Sequence, residues 1–176
     1  MDYLEDKRDL LDDEDVYLMT DLFVEEADSL EDLEGSGPRR DYEWVTYNNA
    51  DFRRRYMSFV NIVSSEFRFS SFEGVNLIGS LIKSTDFYGA SFRNADLEYC
   101  EVEKCDFSSV DLNRINLQGA RLRRSNFSYS DLRGANLSDC IIERCGFRGA
   151  LFDDDTILPF DNDRALELGM VYTPDL

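Results

Sequence analysis

Histidine is absent from this chain, and with it go the Ser-His-Asp and Cys-His devices of nucleophilic catalysis. No glycine-rich loop followed by Lys-Ser/Thr is present to cradle a nucleotide phosphate, so neither an enzyme nor a bound cofactor is expected. The acidic clusters Asp12 to Asp15 and Asp153 to Asp155 lack the glycine and terminal glutamate of a calcium loop, and they read as solvated charge, with no metal site. No stretch approaches the roughly 18 continuous apolar residues of a membrane span. The first fifteen residues are acidic, without the basic and apolar regions of a secretory signal. The expectation is therefore a cytoplasmic protein with no membrane insertion. Positive charge is scarce as well: 19 Lys+Arg face 37 Asp+Glu, a formal net charge of −18, so direct binding to nucleic acid is not expected.

That charge is unevenly spread. Met1 to Trp44 holds 17 acidic residues against 4 basic ones, or −13; Val45 to Pro159 holds 16 against 14, or −2; Phe160 to Leu176 holds 4 against 1, or −3. The acidity belongs mostly to the N-terminal segment.

What the chain has in abundance is a period of five. Every fifth residue from Tyr47 to Ile157 is large and apolar or aromatic, and two residues before nearly every one lies a second column of small or apolar residues such as Ala50, Ser70, Ala90, Ala120 and Ala150. Five matches neither a helix nor a strand, so the chain must bend at regular intervals. A period of twenty is superposed on it. Tyr47, Phe67, Phe87, Phe107, Phe127 and Phe147 are all aromatic, whereas Ile62, Ile82, Val102, Leu122 and Ile142 are all aliphatic. Four sides to a coil would stack such columns at about 4.8 Å per level.

Ala95-Asp96-Leu97-Glu98-Tyr99 and Ala135-Asn136-Leu137-Ser138-Asp139 resemble the A(D/N)LXX pattern of the pentapeptide-repeat family, and Ala50-Asp51-Phe52-Arg53-Arg54 is a close variant. The resemblance covers about two thirds of the chain. It implies an all-β, right-handed quadrilateral parallel β-helix over residues 45–159, of nearly six coils, with the central residue and the one two before it pointing inward. The four faces are numbered from the repeats centred on Tyr47, Phe52, Met57 and Ile62.

The remaining segments are read around that shaft. Residues 160–176 form a cap, with N-caps at Asp161-Asn162-Asp163, a short helix over 164–168, a stop at Gly169, and Leu166, Leu168, Met170 and Val171 set on the last coil. Tyr42 and Trp44 are lids on the first coil. Residues 1–44 form an acidic tail in which Val16, Met19, Phe23, Ala27 and Leu30 make an apolar stripe at helical spacing, followed by a hinge at Gly35-Ser36-Gly37-Pro38. Cys100, Cys105, Cys140 and Cys145 fall in the small inward column. Residues 40 apart lie two coils, about 9.6 Å, apart, beyond the roughly 7 Å reach of a disulfide, so four buried free thiols are expected.

The outward columns are not dictated by the repeat and carry the functional reading. Arg53, Arg93 and Arg133, with Arg114 beside them, form a basic stripe on the second face, and Tyr88, Tyr99 and Tyr129 stand among the exposed aromatics; with Phe23 of the tail these are the candidate protein-binding residues. Rigid repeat shafts present long surfaces for binding. The expectation is a non-catalytic scaffold with a protein partner, a homodimer being compatible with the sequence. Family analogy offers an acidic DNA mimic acting on gyrase as the alternative, and a structural cement or spacer as a third reading. The Leu158-Pro159-Phe160 ending with its following helix and Gly-Met resembles the C-terminal caps of cyanobacterial members.

Overall fold

The structure, a computed structural model, describes residues 41–174; the apolar stripe through Phe23 and the glycine hinge lie outside them. The described chain winds as a right-handed parallel β-helix in which paired residues lie twenty positions apart, except at the last level of the third face. The fourth face forms strands β1 (Tyr42–Glu43), β2 (Asn61–Val63), β3 (Leu81–Lys83), β4 (Glu101–Glu103), β5 (Arg121–Arg123) and β6 (Ile141–Glu143), a parallel sheet stacked in chain order. The other three faces are single bridges with the same offset, such as Asp86 with Asp106 and Ser91 with Asp111. Among the described residues no helix is long and apolar enough to cross a membrane.

Three backbone bonds donated by each repeat tie the coils together. The amide of each central residue donates to the next coil, as Phe72 N to Ser91 O at 2.7 Å, and the preceding amide donates to the coil before, as Asp86 N to Ser65 O at 3.0 Å. The third comes from the residue two after the centre, as Gly74 N to Arg93 O at 2.9 Å. Inside, the rings stack in register: Phe52 on Phe72 at 4.8 Å and 3°, Phe72 on Phe92 at 4.6 Å and 8°, Phe107 on Phe127 at 5.2 Å and 8°. The two aromatic columns meet edge to face, as Phe87 does with Phe92 at 5.1 Å and 82°. These are the favoured geometries of aromatic pairs, added to roughly 2 kcal/mol for each buried ring. Serines in the small column bond the neighbouring coil, Ser70 donating to Tyr47 O at 2.6 Å and accepting from Ala50 N at 3.0 Å, so their hydroxyls are satisfied without water.

Three expectations about the ends are corrected. Tyr42 is not a separate lid but the first member of the stacked column, paired with Ile62 and edge-on to Tyr47, Phe52 and Phe67; Trp44 lies at a corner with φ 58° and is exposed. Ile157 is not the last inward residue. The register slips by one between Phe152 and Ile157, so that Asn136 pairs with Ile157 and Leu158 turns in beside the core. The cause is Asp153, which is buried and accepts from Gly134 N at 2.9 Å, while the Thr156 hydroxyl lies 2.8 Å from the Asp153 carboxylate and 3.1 Å from Leu132 O. Accommodating that knot takes one extra residue.

The cap begins with α1 (Asn162–Glu167), whose amide at Arg164 donates to the Asp161 carboxylate at 2.8 Å. The chain then re-enters the coil: β7 (Leu151–Phe152) pairs in parallel with β8 (Val171–Tyr172). Met170 and Ala165 are the buried residues of the cap, and Tyr172 packs on Phe152 at 5.5 Å. Leu166 and Val171 are exposed, contrary to expectation, because the helix turns its small alanine to the coil and the re-entrant strand turns Met170 inward.

Candidate partner-binding faces

On the first three faces the residue before the centre is most often aspartate or asparagine, and for a local reason. Its Oδ1 accepts from the amide two positions on, as Asp86 from Tyr88 N at 2.8 Å and Asn136 from Ser138 N at 3.0 Å, which closes each outward turn. Asparagines in this column also bridge coils, Asn116 donating to Asp96 at 3.1 Å. These polar columns hold the shaft together.

The same carboxylates rewrite the arginine stripe of the second face. Arg53 Nη2 lies 2.6 Å from Asp51, Arg133 Nη2 lies 2.6 Å from Asp131, and Arg93 pairs with Asp111 at 3.7 Å and donates to Asn113 at 3.3 Å. Hydrogen bonds from the Arg53 side chain, then from its amide, hold Asp51 down at about 2, and the Arg133 side chain lowers Asp131 in the same way. The stripe is therefore a row of ion pairs rather than a bare cationic surface. Arg114 differs: among the described residues its guanidinium has no hydrogen bond or ion pair. A groove of about 400 Å³ runs along this face, lined by Arg93, Asn94, Asn113, Arg114, Arg133, Gly134, Asp153 and Asp155.

The aromatic candidates do not share a patch. Tyr88 lies on the first face, its ring edge-on to Phe69 at 5.6 Å. Tyr129 stands at the corner where the first face turns into the second, and Tyr99 at the corner between the third and fourth. Both corner tyrosines have positive φ, 60° and 57°, and each lies flat over the glycine one coil on: a Cβ on Gly149 or Gly119 would fall 2.6 Å from the ring. Phe59 over Gly79 and Phe69 over Gly89 repeat the arrangement, and Arg114 lays its Cγ over Gly134. The exposed aromatics thus have a packing role, and the sequence signal for it is a large residue followed twenty positions later by glycine.

Burial pushes all four thiols up. Cys100 and Cys105 are buried, and desolvation pushes both up to about 12; Cys140, half-buried, is pushed up to about 11. Cys100 and Cys140 donate to Leu77 O and Leu117 O, each at 2.9 Å.

Comparison with known proteins matches this construction. The family model of pentapeptide repeats fits in eight copies, over residues 61–98, 70–108 and 105–144 among them. A search of curated proteins returned no significant match. Among solved structures, trypsin-treated QnrB1, a plasmid-mediated fluoroquinolone resistance protein, is 17% identical with a TM-score of 0.50, over 69% of this chain and 76% of that one. A pentapeptide repeat protein from the Arabidopsis thaliana thylakoid lumen is 22% identical with a TM-score of 0.35, over 77% and 83%. Rfr23 from the cyanobacterium Cyanothece 51142 is 18% identical with a TM-score of 0.32, over 66% and 86%. With its five-residue period, its coils of twenty and its asparagine and aspartate turns, the chain belongs to the pentapeptide repeat family.

Proposed function

We propose that this chain is a non-catalytic scaffold that binds a protein partner along its second face. The observation that supports the reading is the groove in which Arg93, Arg114 and Arg133, from three consecutive coils, line up with Asn94 and Asn113. Two of these arginines are fixed in place by their aspartates, and Arg114 stands between them with its donors open to an incoming carboxylate or carbonyl. A rigid row of oriented donors and acceptors suits an extended polar protein segment carrying acidic residues. The buried, high-pKa thiols and the absence of histidine support the non-catalytic part of the reading.

The test begins with tagged full-length chain, co-purification and identification of the partner, followed by calorimetry with purified components. Arg114→Ala is expected to weaken binding about tenfold, equivalent to about 1.4 kcal/mol, and the affinity to fall as salt rises. Unchanged affinity in Arg114→Ala and in Arg93→Ala/Arg133→Ala would remove the second face from consideration.

A second reading, DNA mimicry directed at gyrase, draws on the fold likeness to QnrB1. The near-neutral shaft and its arginine columns weigh against it, since a duplex carries one charge per roughly 1.7 Å. Protection or inhibition of gyrase in a supercoiling assay by the purified chain would reverse that order.

A further inference from the structure

The fourth face differs from the others in displaying its outward side chains on three-residue strands, in two columns that flank the buried centre. On β3 to β6 one column reads Leu81, Glu101, Arg121, Ile141 and the other Lys83, Glu103, Arg123, Glu143. Neighbours within a column are already paired, Lys83 with Glu103 at 3.7 Å, Arg121 with Glu101 at 3.8 Å and Arg123 with Glu143 at 3.2 Å. Reversing the order of either column sets an opposite charge against every charge and an apolar residue against every apolar one.

From this we infer that the fourth face docks a second copy of the same chain, antiparallel, about a two-fold axis running along the strand direction between β4 and β5. Rotation about that axis keeps each column opposite itself and inverts its order. Leu81 then meets Ile141 of the second copy, Glu101 meets Arg121, Lys83 meets Glu143 and Glu103 meets Arg123, and symmetry makes every pair twice. Neighbouring arrangements fail on the same residues. An axis parallel to the shaft sets Glu101 against Glu103 and Arg121 against Arg123. Moving the axis onto β4 sets Glu101 on itself and Lys83 against Arg123; moving it onto β5 sets Arg121 on itself and Glu103 against Glu143. Like charges in contact discriminate strongly against these arrangements, and an axis one level away, between β3 and β4 or between β5 and β6, sets Leu81 against Glu101 or Arg121 against Ile141, leaving a charge opposite an apolar side chain.

Ile141 is 46% exposed and Leu81 half-buried, which leaves apolar surface for the two ends of the contact to cover. Along one rim the exposed corner cations Lys104, Arg124 and Arg144 of the two copies face each other through solvent, where salt screens them. The four strands span about 19 Å by 10 Å, a small contact by the standard of specific interfaces, so the dimer is weak and salt-dependent. It leaves the groove of the second face uncovered, and losing the dimer would not remove that groove.

Sedimentation equilibrium of the full chain, up to about 1 mM, reads the association. The parent is expected to dimerise at about 0.01 M salt and at least tenfold more weakly at about 1 M, as the screening length falls from roughly 30 Å to 3 Å. Two variants, each checked for unchanged circular dichroism, fix the register: Glu101→Arg/Glu103→Arg and Arg121→Glu/Arg123→Glu should each be monomeric alone and associate when mixed. Leu81→Cys/Ile141→Cys adds a covalent readout. The two positions are about 14 Å apart within one chain, beyond disulfide reach, so oxidation should yield a bridged dimer, whereas Leu81→Cys alone should not. A parent that stays monomeric at low salt, a mixture no heavier than its components, or a double-cysteine variant that fails to bridge overturns the inference.

Discussion

Replacing Gly119 by alanine probes how the corners of the coil are built. Gly119 has φ +67°, and an added Cβ would lie 2.6 Å from Cδ1 and Cε1 of Tyr99. The backbone conformation alone should cost an alanine about 1 kcal/mol relative to glycine. The clash adds to this by lifting the Tyr99 ring off the coil, which forfeits apolar contact worth about 1 kcal/mol at a site that is already 61% exposed. Gly119→Ala is therefore expected to destabilise by about 2 kcal/mol, with the ring as a separable half. In a Tyr99→Ala background the same substitution should cost only the backbone part, about 1 kcal/mol, so a double-mutant cycle should show coupling of about 1 kcal/mol. Gly146→Ala is the control, since that residue lacks a positive φ and its nearest atom, Asn126 Oδ1, would be 3.7 Å from the new Cβ. It should change stability by less than about 0.5 kcal/mol. Urea midpoints at constant slope read all four changes. Additive effects of Gly119→Ala and Tyr99→Ala would refute the stacked-corner account and return Tyr99 to the set of exposed aromatics without a structural role.

The Asp51 carboxyl should titrate near 2 by NMR and return to the ordinary range near 3.9 in Arg53→Ala; because its folded value is depressed, the pair supports folding above the unfolded value and loses that support as pH falls toward 2, and an unshifted midpoint in the parent would contradict the ion pair. Thiol labelling at pH 8 should proceed in two phases, half-buried Cys140 and Cys145 before buried Cys100 and Cys105; simultaneous reaction of all four in the native state would contradict the burial. Phe92→Ala removes a ring stacked on Phe72 and edge-on to Phe87, and it should cost about 3–5 kcal/mol in chemical denaturation; a loss below about 1 kcal/mol would mean the column does not pack as described.

The shaft was legible because its signal is repeated at every level: inward residues such as Phe72, Phe92 and Leu112 share one environment, and each independently requires an apolar side chain. The end at Ile157 was not, because the slip depends on Asp153 turning inward to bond Gly134 and Thr156, an interaction made once, between residues about twenty apart. Composition was misleading at the second face for a related reason. Arg53, Arg93 and Arg133 are conspicuous as a column, yet Asp51, Asp111 and Asp131, which the repeat itself favours, sit beside them and change what they offer. Tyr99 and Tyr129 looked free because their partners are glycines, residues with no side chain to announce a contact.

Those glycine corners set the unit in which the shaft can grow. At the corner between the third and fourth faces large residues and glycine alternate from one level to the next, Phe59, Gly79, Tyr99, Gly119, and the charges of Glu103, Arg123 and Glu143 alternate in step; at two other corners Arg114 precedes Gly134 and Tyr129 precedes Gly149. Duplicating a single coil, residues 99–118, would stack tyrosine on tyrosine, Arg114 on its own copy and Glu103 on its own copy. Duplicating residues 99–138 would keep a glycine after each copy of Tyr99 and Arg114 and an opposite charge after each copy of Glu103 and Arg123, while the first copy of Tyr129 would meet Ser109. Lengthening by these two levels keeps the matches at two corners and along the fourth face, whereas lengthening by residues 99–118 alone breaks all three.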